Sequence, residues 1–284
     1  MKKRVGIVAL STISLVLIGC GGGGSSSLPT RPSASQMAKI TKYNSKKITN
    51  SSLNSALDAN KINSLDNYLY ENSSSKNFRL ISGNMHRLYK STGECIEGDS
   101  NEEGNENEAK VIYRNCLLSD GTILNGRAYA TKNDALIDVS FNNFTIKKDN
   151  VFIDIKSGHF ITIGGDFPKT EHLYMDIKVG NKYLSYFNFN YNEQYNGLDN
   201  NLIINGYVKT WCTGGYVKVE TKPQISNYKH NPNGELDISS NGKKVTINFK
   251  GDNVDFTDID GNTTTYKLND FKNMIENNCS ANSN

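Results

Sequence analysis

The chain has 284 residues, a formal net charge of +3 and a mean hydropathy of −0.55. So small a charge excess argues against a protein that binds nucleic acid through its overall charge. Gly, Asn, Ser, Tyr and Phe are abundant, and Leu and Ala are sparse beyond the first seventy residues, which favours strands and turns over helices.

The first segment has the layout of a secretory signal. Lys2, Lys3 and Arg4 precede an apolar run over 5–18, which is shorter than the roughly 20 residues of a membrane span. The run ends in "LIGC", which resembles the lipobox of bacterial lipoproteins. That resemblance implies a signal peptide over 1–19 and lipidation at Cys20. The alternative is a secreted protein in which Cys20 is free or disulfide-bonded.

A flexible tether is expected over 20–33, because the glycines and serines after Cys20 can form no core. In Gram-negative lipoproteins a glycine after the lipidated cysteine, instead of an aspartate, favours transport to the outer membrane. The resemblance therefore implies an outer-membrane protein whose membrane partner is reached through palmitate-type acyl chains.

Residues 34–77 read as a partly helical lead-in to a β domain over 78–284. A helix is predicted from the spacing of five apolar residues, with Ser51 or Ser52 as its N-cap. These residues are Leu53, Leu57, Ile62, Leu65 and Leu69.

The four cysteines beyond Cys20 are an even set, as expected in an oxidising compartment. They are Cys95, Cys116, Cys212 and Cys279. Three pairings are possible; we favour Cys95 with Cys116, which bracket one acidic loop, and Cys212 with Cys279, which would tie down the chain end. A zinc site is the alternative, but the sequence has no CxxC pair and no cluster of histidines.

The acidic loop contains a partial calcium-binding pattern. Asp99, Asn101 and Glu103 occupy positions one, three and five of an EF-hand-like loop, but position twelve is Lys110 instead of a carboxylate. We therefore expect a solvated loop without a cofactor, with calcium as the minority hypothesis.

From about residue 78 the apolar period changes to two, as in Val245, Ile247 and Phe249. The apolar phase shifts at Asn143, which predicts a β-bulge there. Turn signals such as Ser157-Gly158, Gly180-Asn181, Asn233-Gly234 and Asn241-Gly242 separate the strands. The prediction is an antiparallel meander of about a dozen strands that forms a barrel, half-barrel or sandwich, outside the bilayer.

Aromatic residues concentrate in "KYLSYFNFNYNEQY". Strict alternation puts Tyr183, Phe187, Phe189 and Tyr191 on one strand face, where they would form core or, as the minority hypothesis, grip a lipid or sugar. Near the end, "LNDFKNMIENN" predicts a short helix capped by Asn269 or Asp270 and carrying an apolar face. That face consists of Phe271, Met274 and Ile275.

Two segments resemble a pattern in uncharacterised Gram-negative lipoproteins. The first is "CIEGDSNEEGNENEAKVIYRNCLLSDGTILNGRA", and the second is "WCTGGYVKVETKPQ" followed by "NGELDISSNGKKVTINF". The resemblance implies the Cys95–Cys116 bond and carries no catalytic residues.

No G-x-S-x-G elbow is present, so an enzyme is the minority reading. The sequence favours a lipid-anchored binding or structural protein of the outer envelope, with no nucleic-acid partner and no identified protein or ligand. The alternatives are a carrier of a lipid-like ligand inside a β cavity and an enzyme acting on envelope glycans through paired carboxylates.

Overall fold

The computed structural model describes residues 28–57, 59, 95–104, 107–119, 121–133, 136–163, 169–196 and 199–276. Its main element is one antiparallel sheet of 13 strands in which each strand pairs with the next along the chain. The strands are β1 (Glu97–Gly104), β2 (Glu108–Leu117), β3 (Ile123–Asn133), β4 (Leu136–Lys148), β5 (Val151–Ile163), β6 (Lys169–Val179), β7 (Lys182–Asn196), β8 (Asp199–Thr210), β9 (Val217–Thr221), β10 (Asn233–Ser240), β11 (Lys243–Lys250), β12 (Asn253–Thr257) and β13 (Thr263–Lys267). The predicted mainly β meander is confirmed.

Period-two alternation divides the sheet into a buried face and an outer face. In β11, Val245, Ile247 and Phe249 are buried, while the residues between them point to the other side. The turn before this strand has Asn241 and Gly242 at φ 46° and 76°. Two consecutive positive φ values are what a two-residue hairpin of the type I′ class requires, so the Asn-Gly turn prediction is confirmed.

The predicted bulge in β4 is also confirmed. Asn143 has φ 46°. Asn125 of β3 pairs with Thr145 of β4, and Arg127 pairs with Asn142, so β4 contains one more residue than β3 between these two pairs. The residue opposite the bulge is Gly126, where a Cβ atom would lie 2.1 Å from the Asn143 carbonyl oxygen. A glycine is needed there because the two backbones approach too closely for any side chain.

Two predicted turns lie inside strands instead. Gly158 belongs to β5, where a Cβ would meet the Leu173 side chain at 2.8 Å, and Gly234 belongs to β10, where it would meet the Gln224 carbonyl at 2.6 Å. The Ser157-Gly158 and Asn233-Gly234 predictions were wrong because these glycines serve close packing and not chain reversal.

Helix α1 (Ser45–Leu57) packs on the buried face of β8 and β9. It begins several residues before the predicted Ser51 or Ser52, because the Asn44 carbonyl accepts the first helical hydrogen bond from Ile48 at 2.9 Å. The helix is buried on most sides, and two of its hydroxyls reach the sheet or its own backbone. Ser51 Oγ lies 2.6 Å from Thr210 Oγ1. The rest of the predicted apolar stripe, from residue 60 onward, lies outside the described residues.

Helix α2 (Leu268–Glu276) closes against α1. Phe271 is fully buried, and Asn50 Nδ2 donates to the Met274 carbonyl at 3.3 Å. The helix begins at Leu268, so Asn269 and Asp270 lie in its first turn and the predicted cap was placed slightly late. The side chain of Ile275 lies outside the described set.

The segment 29–38, called the strap below, crosses the outer face before the chain enters α1. It contains a one-turn 3-10 helix (Ala34–Gln36), and Met37 forms a parallel bridge with Tyr216. Tyr174 donates its hydroxyl to the Pro29 carbonyl at 2.9 Å. The strap therefore ties the N-terminal part of the described chain to β6 and to the residue directly before β9.

A disulfide joins Cys95 and Cys116 with an S–S distance of 2.02 Å, so the favoured first pairing is confirmed. Closing a loop of this length contributes about 3 kcal/mol in the chain-entropy description. Cys212 is also disulfide-bonded, to a partner outside the described residues. Its pairing with Cys279 stays a prediction. Neither of the helices described is both long and apolar enough to cross a membrane.

Candidate functional site

The aromatic segment in β7 does not keep one phase. Asn188 adopts φ 45°, and the register with β8 shifts between Phe187 and Asn190. Phe189 and Tyr191 are therefore fully buried, whereas Tyr183 and Phe187 lie half-buried on the outer face. The prediction that all four share one face was wrong because a bulge reverses the alternation.

A polar row crosses the outer face at right angles to the strands. Cross-strand pairing sets Asp154 of β5 opposite Asp176 of β6, Asp176 opposite Ser185 of β7, and Ser185 opposite Lys209 of β8. Residues paired in this way have Cβ atoms about 4.5–5.5 Å apart in antiparallel sheets. The row thus brings two carboxylates, a hydroxyl and an ammonium group together.

Aromatic rings border the polar row on both sides. On one side, the Phe187 ring centroid lies 5.1 Å from that of Tyr174 and 6.3 Å from that of Tyr207, both edge-on. On the other side, Phe152 and Tyr183 flank Lys178, with which both are paired across the sheet. We call the polar row and its two aromatic borders the binding face.

Lysines contact several of these rings. The Lys209 ammonium lies 5.1 Å from the Tyr183 centroid and 5.8 Å from that of Tyr216. Lys182 lies 5.7 Å from the Trp211 centroid. At these distances the ammonium groups are attracted to the aromatic rings.

The Tyr216 hydroxyl belongs to the polar row. Burial raises the pKa of Tyr216, the charge of Asp176 raises it further, and a side-chain hydrogen bond with Ser185 opposes the shift. The phenol therefore stays protonated over the ordinary pH range and can donate or accept a hydrogen bond.

The two carboxylates of the row carry an electrostatic cost. Burial raises the pKa of Asp154, Lys156 opposes that shift, and the like charge of Asp176 adds to it. Lys156 Nζ lies 3.8 Å from Asp176 Oδ2 and offsets part of the repulsion. Like charges set directly opposite in a sheet are destabilising, so this pairing is not explained by stability alone.

The strap covers one edge of the binding face. Asn188 Nδ2 donates to the Thr30 carbonyl at 3.1 Å, beside the bond from Tyr174 to Pro29. Pro32 is buried against the protein. A ligand on this face would therefore lie next to the segment that leads to residue 20.

The acidic segment after Cys95 is not a loop as predicted, because it forms β1 and pairs with β2. Asp99 Oδ2 lies 2.6 Å from Arg114 Nη1, and Glu103 Oε2 lies 3.7 Å from Lys110 Nζ. Asn101 donates to Glu103 Oε1 at 3.1 Å. These contacts direct the three proposed calcium ligands toward other side chains. Across the described parts of the chain, no group of three or more His, Cys, Asp or Glu side chains has the geometry of a metal site.

One buried polar cluster was missed at the sequence level. Glu193 is almost fully buried and accepts from Tyr191 at 3.3 Å, from Asn200 at 3.3 Å and from Lys229 at 2.7 Å. Burial and the nearby Glu193 raise the pKa of Tyr191 well above its usual range. The cluster joins β7 to the connection between β9 and β10. Its only signal in the sequence is that Glu193 continues the period-two spacing of the buried Phe189 and Tyr191.

Comparisons with known protein families, curated proteins and solved structures gave no significant match to this chain.

Proposed function

We propose that the chain is a lipid-anchored component of the outer envelope, attached through acyl chains on Cys20, with a non-catalytic binding role. The support for the anchor is the lipobox-like end of the signal segment. Several acyl chains, each CH₂ contributing about 0.8 kcal/mol, would hold the protein at the membrane surface. We also propose that the chain is related to the uncharacterised Gram-negative lipoproteins that its two quoted segments resemble.

The binding face is the proposed ligand surface, and envelope glycan is the proposed ligand class. The polar row bordered by half-buried aromatic rings is the observation that supports a glycan ligand. Sugar rings present an apolar C–H face and a rim of hydroxyls, so they pair with aromatic side chains and with carboxylate and ammonium groups at the same time. A lipid tail would leave the charges of the row unpaired, at a large desolvation cost.

Glycan hydrolysis is the second candidate, and the Asp154–Asp176 pair favours it. A raised pKa on one of two neighbouring carboxyls is the pattern of a general acid beside an ionised partner. Binding is preferred because these two residues stand side by side on one sheet face instead of flanking a cleft. The lipid-carrier alternative has less support, since α1 side chains occupy the buried face of β8 and β9.

Glycan binding is tested by titrating the purified chain with soluble peptidoglycan fragments and lipopolysaccharide core oligosaccharides. Tyr183→Ala and Tyr207→Ala should each weaken binding about 2- to 10-fold, the range that one aromatic contact is worth. Tyr129→Ala is the matched control, because Tyr129 is an exposed aromatic residue on β3, outside the binding face. Absence of binding, or an equal loss in the control, would contradict the proposal.

Hydrolysis is tested in the same samples by measuring new reducing ends. The binding proposal expects none from the unaltered chain, whereas the enzyme alternative expects release that Asp154→Asn or Asp176→Asn abolishes.

The anchor is tested by labelling with palmitate. Cys20→Ser should remove all incorporated label, and unchanged labelling would refute lipidation at this residue.

A further inference from the structure

A cluster of lysines lies at the end of the sheet where the β10–β11 and β12–β13 turns meet the segment before α1. Ser240 and Asn241 both donate side-chain hydrogen bonds to the Ala38 carbonyl, and Lys42 Nζ lies 3.9 Å from Asp260 Oδ2. These contacts bring two turns and the end of the strap together. The basic rim is defined by six exposed lysines and one tyrosine: Lys39, Lys42, Tyr43, Lys46, Lys47, Lys243 and Lys244.

Tyr43 is the most exposed large side chain of apolar character among the described residues, at 97%. It is held there by a folded turn, since Asn44 Oδ1 accepts from the Thr41 amide at 2.7 Å and Asn44 Nδ2 donates to the Lys39 carbonyl at 2.9 Å. Because the ordered turn holds the Tyr43 ring in water, the ring buries almost no apolar surface and does not stabilise the fold in that way. The ring is therefore accessible to a partner surface.

The rim keeps a positive excess after its internal contacts are considered. Asp258 and Asp260 are the acidic residues of the adjoining turn, and Asp258 Oδ1 already accepts the amides of Asp260 and Asn262 at 2.9 Å each. Lys244 lies 3.3 Å from Asp237, and Lys46 donates to the Tyr266 hydroxyl at 3.0 Å. Lys39, Lys47 and Lys243 are exposed, and Lys39 and Lys47 each lie four residues from Tyr43 in the chain.

We propose that the basic rim rests on an anionic phospholipid surface, with Tyr43 at the level of the head groups. Lysines near a bilayer are attracted to anionic lipids over about one Debye length, and tyrosine is favoured at the interface because it has an apolar ring and a polar hydroxyl. This inference rests on the proposed anchor, and it adds an orientation: the rim faces the membrane and the other end of the sheet faces away.

The length of the chain between Cys20 and the strap is compatible with this orientation. The strap leaves the sheet at Pro29, beside Tyr174 in the middle of β6. From Tyr174 to the turn at Gly180, on the rim end of the sheet, the strand rises about 20 Å. Residues 21–28 can span at most about 28 Å when extended, so Cys20 can reach the plane of the rim.

The test uses the acylated full chain in vesicles with brominated lipid tails, which quench tryptophan close to the bilayer. Trp211 is replaced by Phe to remove the native signal, and a single tryptophan is placed by Tyr43→Trp or, as the matched control, by Tyr129→Trp. Quenching at position 43 should be at least about twofold greater in anionic than in zwitterionic vesicles. It should fall to the control level near 1 M salt, where the Debye length is about 3 Å.

A triple charge reversal, Lys39→Glu, Lys42→Glu and Lys47→Glu, should abolish the quenching at position 43. Reversal of three lysines outside both the rim and the binding face, Lys110→Glu, Lys169→Glu and Lys267→Glu, should leave it unchanged. Equal quenching at positions 43 and 129, or equal quenching in anionic and zwitterionic vesicles, would overturn the inference.

Flotation of the vesicles separates this inference from the anchor. A chain that floats without quenching at position 43 keeps the anchor and refutes the rim. If the chain does not float, the anchor proposal fails, and the rim is then measured on chains held to chelating lipids by an N-terminal histidine tag. Salt-sensitive quenching at position 43 in that arrangement still supports the rim, and its absence refutes it.

Discussion

The two faces of β7 carry similar aromatic residues and obey different constraints. On the buried face, Phe189 and Tyr191 have no exposure and pack within the core. On the outer face, Tyr183 and Phe187 are half-exposed and stand beside a row of charged groups. The comparison teaches that aromatic content alone does not separate core from surface; the bulge at Asn188 decides which ring serves stability and which is available to a ligand.

The largest expected contrast comes from truncating one ring on each face. Phe189→Ala should lower the free energy of unfolding by about 3–5 kcal/mol because it leaves a cavity beside Tyr186, whose ring centroid lies 4.8 Å away. Phe187→Ala, as the matched variant, should cost about 1 kcal/mol, since Phe187 is only half-buried and water can fill part of the space that its ring leaves. Urea denaturation measures both, and equal losses would refute the assignment of faces.

A smaller effect on the free energy of unfolding is expected at Glu193, a charged residue on the buried face. Glu193→Ala should cost about 2 kcal/mol because Tyr191 and Asn200 lose a buried acceptor, while Lys229 remains hydrated. Glu193→Gln should cost less, since an amide oxygen still accepts. Denaturation midpoints distinguish the two variants, and a neutral alanine variant would show that the cluster contributes nothing.

The Glu220 carboxylate, which is paired with lysines on the outer face of β9, should contribute about 0.5–1 kcal/mol to the free energy of unfolding. Burial of Glu220 opposes ionisation, but hydrogen bonds from Lys218 and Lys222 outweigh it and hold the pKa of Glu220 below its usual value. The stability from this carboxylate is present above its unfolded pKa and is lost as the pH falls through the folded one. Glu220→Gln should therefore destabilise at pH 7 and have no effect at strongly acidic pH.

The smallest effect, and one of opposite sign, is expected in the polar row. Because the pKa of Asp154 is raised, its contribution to stability is present at low pH and is lost as the pH rises through the raised value. Asp176→Asn removes one like charge and should stabilise the protein by about 0.5 kcal/mol at pH 7. No gain is expected at pH 3, and a loss at pH 7 would show that the pair stabilises the fold.

Much of the fold follows from local sequence patterns. The alternation in β11, the Asn241-Gly242 turn and the bulge at Asn143 could be predicted because each depends on residues adjacent in sequence. The glycines at 158 and 234 were misread because a glycine that admits a neighbouring chain looks the same as one that reverses the chain.

The binding face could not be predicted because it depends on register. Asp154, Asp176, Ser185 and Lys209 come from four strands, and a shift of one residue in any strand would break the row. The aromatic segment was visible, but its phase reversal depended on the unusual backbone of Asn188, for which the sequence contains only an asparagine. Glu193 was missed for the related reason that two of its three partners, Asn200 and Lys229, lie on β8 and on the connection between β9 and β10.

The position of α1 has a consequence for how the chain acquires its structure. Hairpins between successive strands can form as soon as each pair has been synthesised, since their contacts are close in sequence. The helix that precedes them packs against β8 and β9, which follow seven earlier strands, and against α2, which follows all 13 strands. Completion of the packing around α1 must therefore wait for α2, and until then the apolar face of α1 is open to premature association.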